Sequence, residues 1–521
     1  MQTVLITTSG VGSRLGDITN YLNKSLVRVG NKFTICYIID KYDPKTTKFV
    51  ITLGYLGHLV KEFLDIAYEN NTFEYVYVNN FDKDGSSLVY SLLQAKNVLQ
   101  CPFTFYCCDS IILDNVLIDN HNMKNNILCV APSDDGASYA SVTVAENYIT
   151  KIHKKGEIKY DYIFTGVSYI YDYEEYWNIL EQVYKNQPNN KELSDIDVIH
   201  IMLNKSKFQF IDIKQWYDIG NIKSLNIANK NIKCDFNILH KNNESLCFLN
   251  NKVIKFFSDK DSLMNRVSRG KFLEPNCPRI LNSNEHFFSM EFIKGQLLSN
   301  VYQYGEIYNL LEWSKTNLWI NKSINDMHKD TCMKFYKIKT LERLHKLDIS
   351  EVEIINGIII LPIKELLDQI DWNELITDTF YQFHGDFILD NIIKTDNTYK
   401  LIDWRQDFGG NIDYGDMYYD LSKLRHNIIF NHDNIANGLF KLHLEEGKVT
   451  LDLKCNYFLI QQLEDFDKFI YKNDLNIKKI KILTALIWLN MAPLHEHNLS
   501  QFLFYFGKYN LALVLENYTL P

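Results

Sequence analysis

None of the ten cysteines is spaced Cys-x-x-Cys. That spacing marks zinc ribbons and thiol redox sites, so neither is expected. Cys107 and Cys108 are adjacent at the end of an apolar run, and with the others they read as buried, reduced thiols of a cytoplasmic protein. No apolar run reaches the ~18 residues that cross a bilayer, and no basic stretch precedes an apolar one at the N-terminus. Neither a membrane partner nor a secretory leader is therefore expected. Positive charge is in short supply: Lys and Arg number 55 against 64 Asp and Glu, for a net charge of -9. A basic field for nucleic acid is thus lacking, and no nucleic-acid partner is expected. Apolar residues, by contrast, make up 46% and can fill large cores. The 33 Tyr and 31 Phe, with abundant Asn, Ile and Lys, read as an AT-rich coding bias rather than as a binding surface. At 521 residues the chain is long for one domain, and two or three are expected.

The chain opens on a short β-rich run, residues 3–8, and then Ser9-Gly10-Val11-Gly12-Ser13-Arg14-Leu15. A strand that runs into a glycine-bearing turn can wrap backbone N–H groups around phosphates, and Arg14 adds charge. Taken alone, the same letters are equally well a plain tight turn; they form neither Gly-x-Gly-x-x-Gly nor a P-loop. Lys24 follows about one loop later. Further strands are expected over 48–53, 73–78 and 103–108, the last ending on Asp109. Helices are expected over 58–67, with Leu59, Phe63 and Ile66 on one face, and over 88–98. Strands alternating with helices imply an α/β layer with a mostly parallel sheet, whose ligands bind beyond the carboxyl ends of the strands. Gly10, Asp84 and Asp109 fall at such ends.

This segment resembles the nucleotidyltransferases that make nucleotide sugars. Their signature is Gly-x-Gly-Ser/Thr-Arg-Leu, then Lys-Pro-Leu, then a strand-terminal Asp; here Ser25 replaces that proline. The run Ile149 to Gly156 aligns with the family's Glu-Lys-Pro stretch, with Lys154 in place of the glutamate and Gly156 in place of the proline. Phe164-Thr165-Gly166-Val167 matches a sugar-contacting Thr-Gly turn, and Trp216-Tyr217-Asp218-Ile219-Gly220 the family's Trp-x-Asp-x-Gly. The resemblance implies a nucleotidyltransferase domain over 1–229, with Gly10, Gly12 and Ser13 at the nucleotide and Gly166 and Lys155 at the substrate. Lys155 has another reading, as one member of a solvated basic turn. Arg14 and Lys24 would steady the triphosphate. Asp109 and Asp218 would hold Mg²⁺, the latter being otherwise a capping residue in its turn. A phosphate oxygen of the acceptor would attack the α-phosphorus of CTP, UTP or GTP, and pyrophosphate would leave.

Residues 222–240 read as a closing helix and a polar connector, so the α/β core is expected to be complete near residue 230. Beyond it, 245–249 and 252–257 read as two strands joined by Asn250-Asn251. Lys255 lies inside an apolar strand, where an unpaired ammonium is costly. Later come Phe383-His384-Gly385-Asp386 with Asn391 at the fifth position, and Leu401-Ile402-Asp403-Trp404. Asp386 is a candidate base for a substrate hydroxyl, while Asn391 and Asp403 are candidates to share a metal ion. A base, an amide oxygen and a metal carboxylate are what phosphoryl transfer from Mg-ATP needs.

These motifs resemble the aminoglycoside phosphotransferase and choline kinase family, a branch of the protein-kinase-like fold. The resemblance implies an α+β bilobal domain over 241–521, with a small lobe at about 241–295. Lys255 would meet ATP phosphates, and the hinge near Glu291 would meet adenine. Neither a glycine-rich loop ahead of Lys255 nor a clear glutamate partner for it is present; Glu274 is a guess. Aromatics such as Trp313, Trp319, Phe335 and Tyr336 read as core, and Asp416 and Asp420 as loop-orienting residues. The joint expectation is a cytoplasmic bifunctional enzyme of surface-glycan (capsule or lipopolysaccharide) synthesis. It would phosphorylate a small sugar or alcohol with ATP and then join that phosphate to a nucleotide, with Mg²⁺ as cofactor. A choline-type kinase with a cytidylyltransferase making CDP-choline is one alternative. A degenerate domain kept for binding or regulation is another.

Overall fold

The computed structural model describes the chain except at residues 117–122, 134, 237–240, 242, 302, 323–327, 377–378, 456 and 517–521. The last four residues of the expected connector, 237–240, thus lie outside the described residues. The chain divides into two compact units: residues 1–260 with 281–290, and residues 261–280 with 291–521.

The first unit is built on nine strands: β1 (Gln2–Thr7), β2 (Thr47–Leu53), β3 (Thr72–Tyr77), β4 (Phe103–Cys107), β5 (Asn126–Ala131), β6 (Ser141–Ala145), β7 (Tyr148–His153), β8 (Tyr162–Ile170) and β9 (Phe208–Asp212). They form one sheet in the order β3-β2-β1-β4-β8-β5-β9-β7-β6. Its first four strands are parallel, as expected. β1 is buried at every position, which suits a strand covered on both faces. Helix α1 (Gly57–Ala67) buries Leu59, Phe63 and Ile66, the face its spacing predicts.

The other half of the sheet departs from a mostly parallel one. β8 runs antiparallel to β4, β5 and β6, and β7 antiparallel to β6, while β5 and β9 are parallel. For β6 and β7 connection length is the cause: β6 ends at Ala145 and β7 begins at Tyr148, and so short a link can only reverse the chain.

The hydrophobic core does not close by residue 230. β10 (Glu244–Leu249), β11 (Lys252–Phe257), β12 (Ile280–Ser283) and β13 (Phe287–Glu291) form a second sheet in the order β10-β11-β13-β12. The turn between β10 and β11 falls on Asn250, whose φ of 55° suits asparagine. Cys247, Leu249, Ile254, Phe256 and Phe287 of these strands belong to one core cluster with Val4, Phe33 and Phe63. The Cys36 and Cys247 sulfurs lie 3.8 Å apart, and the Phe63 and Phe287 rings 5.8 Å apart. Burying each such side chain contributes roughly 1.5–3 kcal/mol, so a chain cut at 230 would lose several of these terms.

The second unit is mainly helical. α2 (Glu306–Asn317), α3 (His328–Met333), α4 (Lys339–Leu344), α5 (Ile363–Asp368), α6 (Met417–Ile429), α7 (Tyr457–Lys472), α8 (Ile477–Met491) and α9 (His497–Leu515) carry most of it. Pro493 lies in the short turn that separates α8 from α9. Phe335, Tyr336, Phe383, Phe408 and Trp488 share a core cluster, so the aromatics here pack rather than form a cage. Among the described residues no helix is long and apolar enough to cross a membrane.

Candidate active sites

In the first unit, a small ribbon sets two carboxylates side by side. Ser110–Ile112 pairs antiparallel with Trp216–Asp218, with Asp218 opposite Ser110, and the Ile219 N–H donates to the Asp109 carbonyl at 3.0 Å. Asp109 leaves the end of β4 and is ion-paired with Lys24. Burial works to raise its carboxyl, but Lys24 holds it below the ordinary value. Burial, then the Asp109 charge, pushes Asp218 up. Asp218 accepts from the Gly220 N–H at 3.0 Å, Ser224 Oγ at 2.9 Å and Tyr139 Oη at 3.2 Å.

Gly220 marks the point where these groups converge. A Cβ there would lie 3.0 Å from Asp218 Oδ1, 3.2 Å from Asp109 Oδ2 and 3.3 Å from Arg14 Nη2. Two carboxylates kept close, one of them raised by the other's charge, are the hard oxygen donors that suit Mg²⁺. The donor set therefore fits that ion. Gly220→Ala is expected to lower pyrophosphate release about a hundredfold, because small misplacements near the reacting atoms cost that much. Its far-ultraviolet circular dichroism should match that of the parent. Full activity would mean that the space does not belong to the reacting centre.

The turn after β1 supplies the rest. Gly12 has φ 70°, and a Cβ on it would come within 3.2 Å of Lys24 Cβ and of Thr19 Cγ2. Gly10 is open on all sides at this range, and Ser13 begins the short 3₁₀ helix that carries Arg14. Asn23 ties the Lys24 segment down: its amide donates to the carbonyls of Thr8 at 2.9 Å and Tyr55 at 2.6 Å. Its oxygen accepts from the Ser25 N–H at 2.9 Å and Oγ at 2.8 Å. Ser25, in the expected proline position, thus fixes the turn by hydrogen bonds. Gly166, at φ 77° in the bulge of β8, lies where a Cβ would be 3.2 Å from Cys107 Cβ. Lys155 is exposed on the turn after β7, beside Lys154, which pairs with Asp197 at 2.8 Å.

A second site lies in the second unit. Asp386 Oδ1 is 2.7 Å from Lys423 Nζ of α6. Burial would raise the Asp386 carboxyl, but Lys423 holds it below the ordinary value. Asn391 Nδ2 donates to the Asp386 carbonyl at 2.9 Å and to its Oδ2 at 3.1 Å. The amide nitrogen is thus committed to Asp386, and the amide oxygen is the atom left for a cation. Asp403 has φ 59°, unusual for a non-glycine residue, and its Oδ1 meets Arg266 Nη1 at 3.2 Å. Arg266 also donates to the Trp404 carbonyl at 2.7 Å.

Asp420 holds the His384–Gly385 turn in place. It accepts from the His384 N–H at 2.8 Å, the Gly385 N–H at 2.7 Å and Trp319 Nε1 at 3.1 Å. Burial raises its carboxyl to about 6. Gly385 has φ 88°, and a Cβ there would strike Arg405 Cβ at 2.6 Å, so only glycine fits. Asp416 caps α6 at the Tyr418 N–H and pairs with buried Lys479 at 2.8 Å.

Residues 3–234 match the family model described as nucleotidyl transferase. The first unit thus contains a nucleotidyltransferase domain. A curated relative, the "Bifunctional protein GlmU" of Methanococcus maripaludis, is 24% identical over 285 residues, 52% of this chain and 62% of its own length. The chain therefore spans under two thirds of that relative. Among solved structures, the CTP:phosphocholine cytidylyltransferase of Streptococcus pneumoniae is 18% identical, covering 45% of this chain and 100% of its own, with a TM-score of 0.39. A glucose-1-phosphate thymidylyltransferase of Bacillus anthracis is 22% identical, covering 46% and 98%, also with a TM-score of 0.39.

Within the nucleotidyltransferase domain, the structure brings together Arg14, Lys24, Asp109 and Asp218, with Gly12 beside Lys24. Asn23, Tyr139 and Ser224 were not singled out from sequence. Asn23 directly precedes the lysine, and that adjacency was its available signal. Lys423 was missed as well, since a lysine on an amphipathic helix reads as solvated. Lys255 lies in β11 and is buried. Glu291 is engaged with Arg279: its N–H donates to the Arg279 carbonyl at 3.1 Å, and its Oε1 accepts the Arg279 N–H at 3.1 Å. Its N–H and one carboxylate oxygen are thereby engaged within the protein. Glu274 Oε1 accepts from the Ile280 N–H at 3.3 Å.

Proposed function

We propose that the chain is a bifunctional enzyme that first phosphorylates a small sugar or alcohol and then couples that phosphate to a nucleotide. The observation that carries the second step is the convergence of Asp109, Asp218 and Arg14 on one point in a domain of the nucleotidyl transferase family. In that step a phosphate oxygen of the acceptor bonds to the α-phosphorus of CTP, UTP or GTP, and the bond to the β-phosphate oxygen breaks, releasing pyrophosphate. Arg14 and Lys24 supply positive charge to the triphosphate, and Asn23 keeps Lys24 in position. Asp109 and Asp218 would hold Mg²⁺, which offers charge neutralisation at phosphate oxygens. Gly10, Gly12 and Ser13 would lie along the nucleotide, with Gly166 and Lys155 toward the phosphorylated acceptor.

The first step is supported by the Asp386, Asn391 and Asp403 arrangement. Asp386, kept ionised by Lys423, accepts the proton of an acceptor hydroxyl while Asn391 orients its carboxylate. Asn391 and Asp403 are the residues that would hold the Mg²⁺ of ATP. Lys255 is assigned to ATP phosphates and the Glu291 carbonyl to adenine, on the family resemblance. An intact set of this kind favours a working kinase over a degenerate module. A fusion suits the chemistry because the product of one step is the substrate of the next.

The test is the full chain with a panel of acceptors, ATP, and CTP, UTP or GTP, reading ADP and pyrophosphate separately. Pyrophosphate that appears only after ADP, or directly from a supplied phosphorylated acceptor, is expected. Pyrophosphate from an unphosphorylated acceptor without ATP would overturn the order.

A further inference from the structure

The second unit holds a pocket of about 140 Å³, linked to Asp386 through its ion-pair partner Lys423, whose charged lining among the described residues is entirely positive: Lys339, Arg343, Arg405 and Lys423. These come from α4, from the loop after Asp403 and from α6, so no local run of sequence announces them. Lys339 Nζ lies 3.4 Å from the centroid of the Phe335 ring and 5.6 Å from that of Tyr419. Arg405 Cζ lies 5.1 Å from the same Phe335 ring, so two cations share one aromatic side chain. Among the described residues, Lys423 alone of the four is ion-paired with a carboxylate, that of Asp386. Arg343 Nη1 donates to the Asn490 carbonyl at 3.0 Å. Among the described residues, Arg405 Nε and Asn490 Oδ1 are buried without a hydrogen-bond partner, although Asn490 lines the pocket.

Stacking on aromatic rings offsets only part of the cost of gathering these charges. Burial, then Arg405, Arg343 and Lys423, pushes the Lys339 ammonium well below its ordinary value, and Asp407 opposes this too weakly to cancel it. A bound anion would relieve that repulsion. A quaternary ammonium such as choline would meet three further cations there and would compete with Lys339 for the Phe335 ring.

We propose that the acceptor phosphorylated at Asp386 is an anionic alcohol, a small polyol or sugar bearing a carboxylate or phosphate, held by Lys339, Arg343 and Arg405. This rests on the kinase reading above. The acceptor's hydroxyl oxygen bonds to the γ-phosphorus of ATP, and the bond from that phosphorus to the β-phosphate oxygen breaks. ADP leaves with the electron pair, and the hydroxyl proton goes to Asp386. The product carries two anionic groups, which narrows what the nucleotidyltransferase domain receives.

The full chain with ATP and Mg²⁺ is offered matched acceptors: glycerol, choline, D-glycerate and sn-glycerol 3-phosphate, then glucose, gluconate and glucose 6-phosphate. ADP release is measured. The anionic members are expected to have kcat/KM at least about tenfold above the neutral and cationic ones, as a charge-assisted contact supplies. Comparison of D-glycerate and gluconate with the two phosphates separates carboxylate from phosphate. Lys339→Met and Arg343→Gln should each raise KM for the preferred anion about tenfold to a hundredfold, with a much smaller effect on KM for ATP. Lys339→Arg should restore most of the loss. Equal or faster turnover of choline or glycerol overturns the proposal, as does an unchanged acceptor KM in both variants. If no acceptor of any charge consumes ATP, the kinase reading falls, and calorimetric titration with D-glycerate and sn-glycerol 3-phosphate decides the pocket. Binding that Lys339→Met abolishes supports the anion site, and no binding overturns it.

Discussion

Asp386→Ala is expected to abolish ATP-dependent phosphorylation while leaving pyrophosphate release from a supplied phosphorylated acceptor intact. Loss of a positioned general base costs about two to four orders of magnitude in rate. Asp386 is also the counter-ion of Lys423 and the acceptor for Asn391, so the alanine variant removes three functions at once. Asp386→Asn separates them: it keeps the shape but accepts no proton at neutral pH. Both variants should lose the ADP signal, and the asparagine variant should keep the thermal midpoint closer to that of the parent. Loss of both activities in the asparagine variant would argue against two separate sites.

Asp109→Ala should give the mirror image, with ADP release preserved, pyrophosphate release lost and the phosphorylated acceptor accumulating. The expected fall is about a thousandfold, as for other losses of preorganised charge stabilisation. Two effects add: a proposed Mg²⁺ ligand disappears, and Lys24, paired with Asp109, is released from its position. Lys24→Met tests the second effect alone, and a smaller loss is expected there. Undiminished nucleotidyl transfer in Asp109→Ala would remove Asp109 from the reacting centre.

In the first candidate site, strand ends and glycine turns mark where ligands can bind, while the roles of the individual residues rest on the resemblance to nucleotidyltransferases. Arg14, Lys24 and Asp109 are picked out by that resemblance. What brings Asp218 to Asp109 is the ribbon between Ser110–Ile112 and Trp216–Asp218, a pairing over about a hundred residues with no local periodicity. In the second unit the motif residues Asp386, Asn391 and Asp403 could be read, because they lie within 18 positions of one another. The cations of the nearby pocket could not, since Lys339, Arg343 and Lys423 are ordinary helix-surface letters until the helices pack. The antiparallel half of the large sheet was underestimated for a related reason. Strand–helix alternation over the first hundred residues reads as parallel throughout, whereas the short turn between β6 and β7 fixes an antiparallel pair. The shared core of the first unit rests on contacts such as Cys36 with Cys247, 211 positions apart, which composition does not announce.

The division of the chain bears on how such a protein is assembled and inherited. The polypeptide passes from one unit to the other at residues 260–261, returns at 280–281 and leaves again at 290–291. No single recombination junction, and no single nick by a protease, yields both units whole. A crossover at the connector near residue 235 would transplant the nucleotidyltransferase fold without the four strands that complete its core. The two units are therefore coupled through the backbone, and removal of the whole of either one by a single cut leaves the other incomplete.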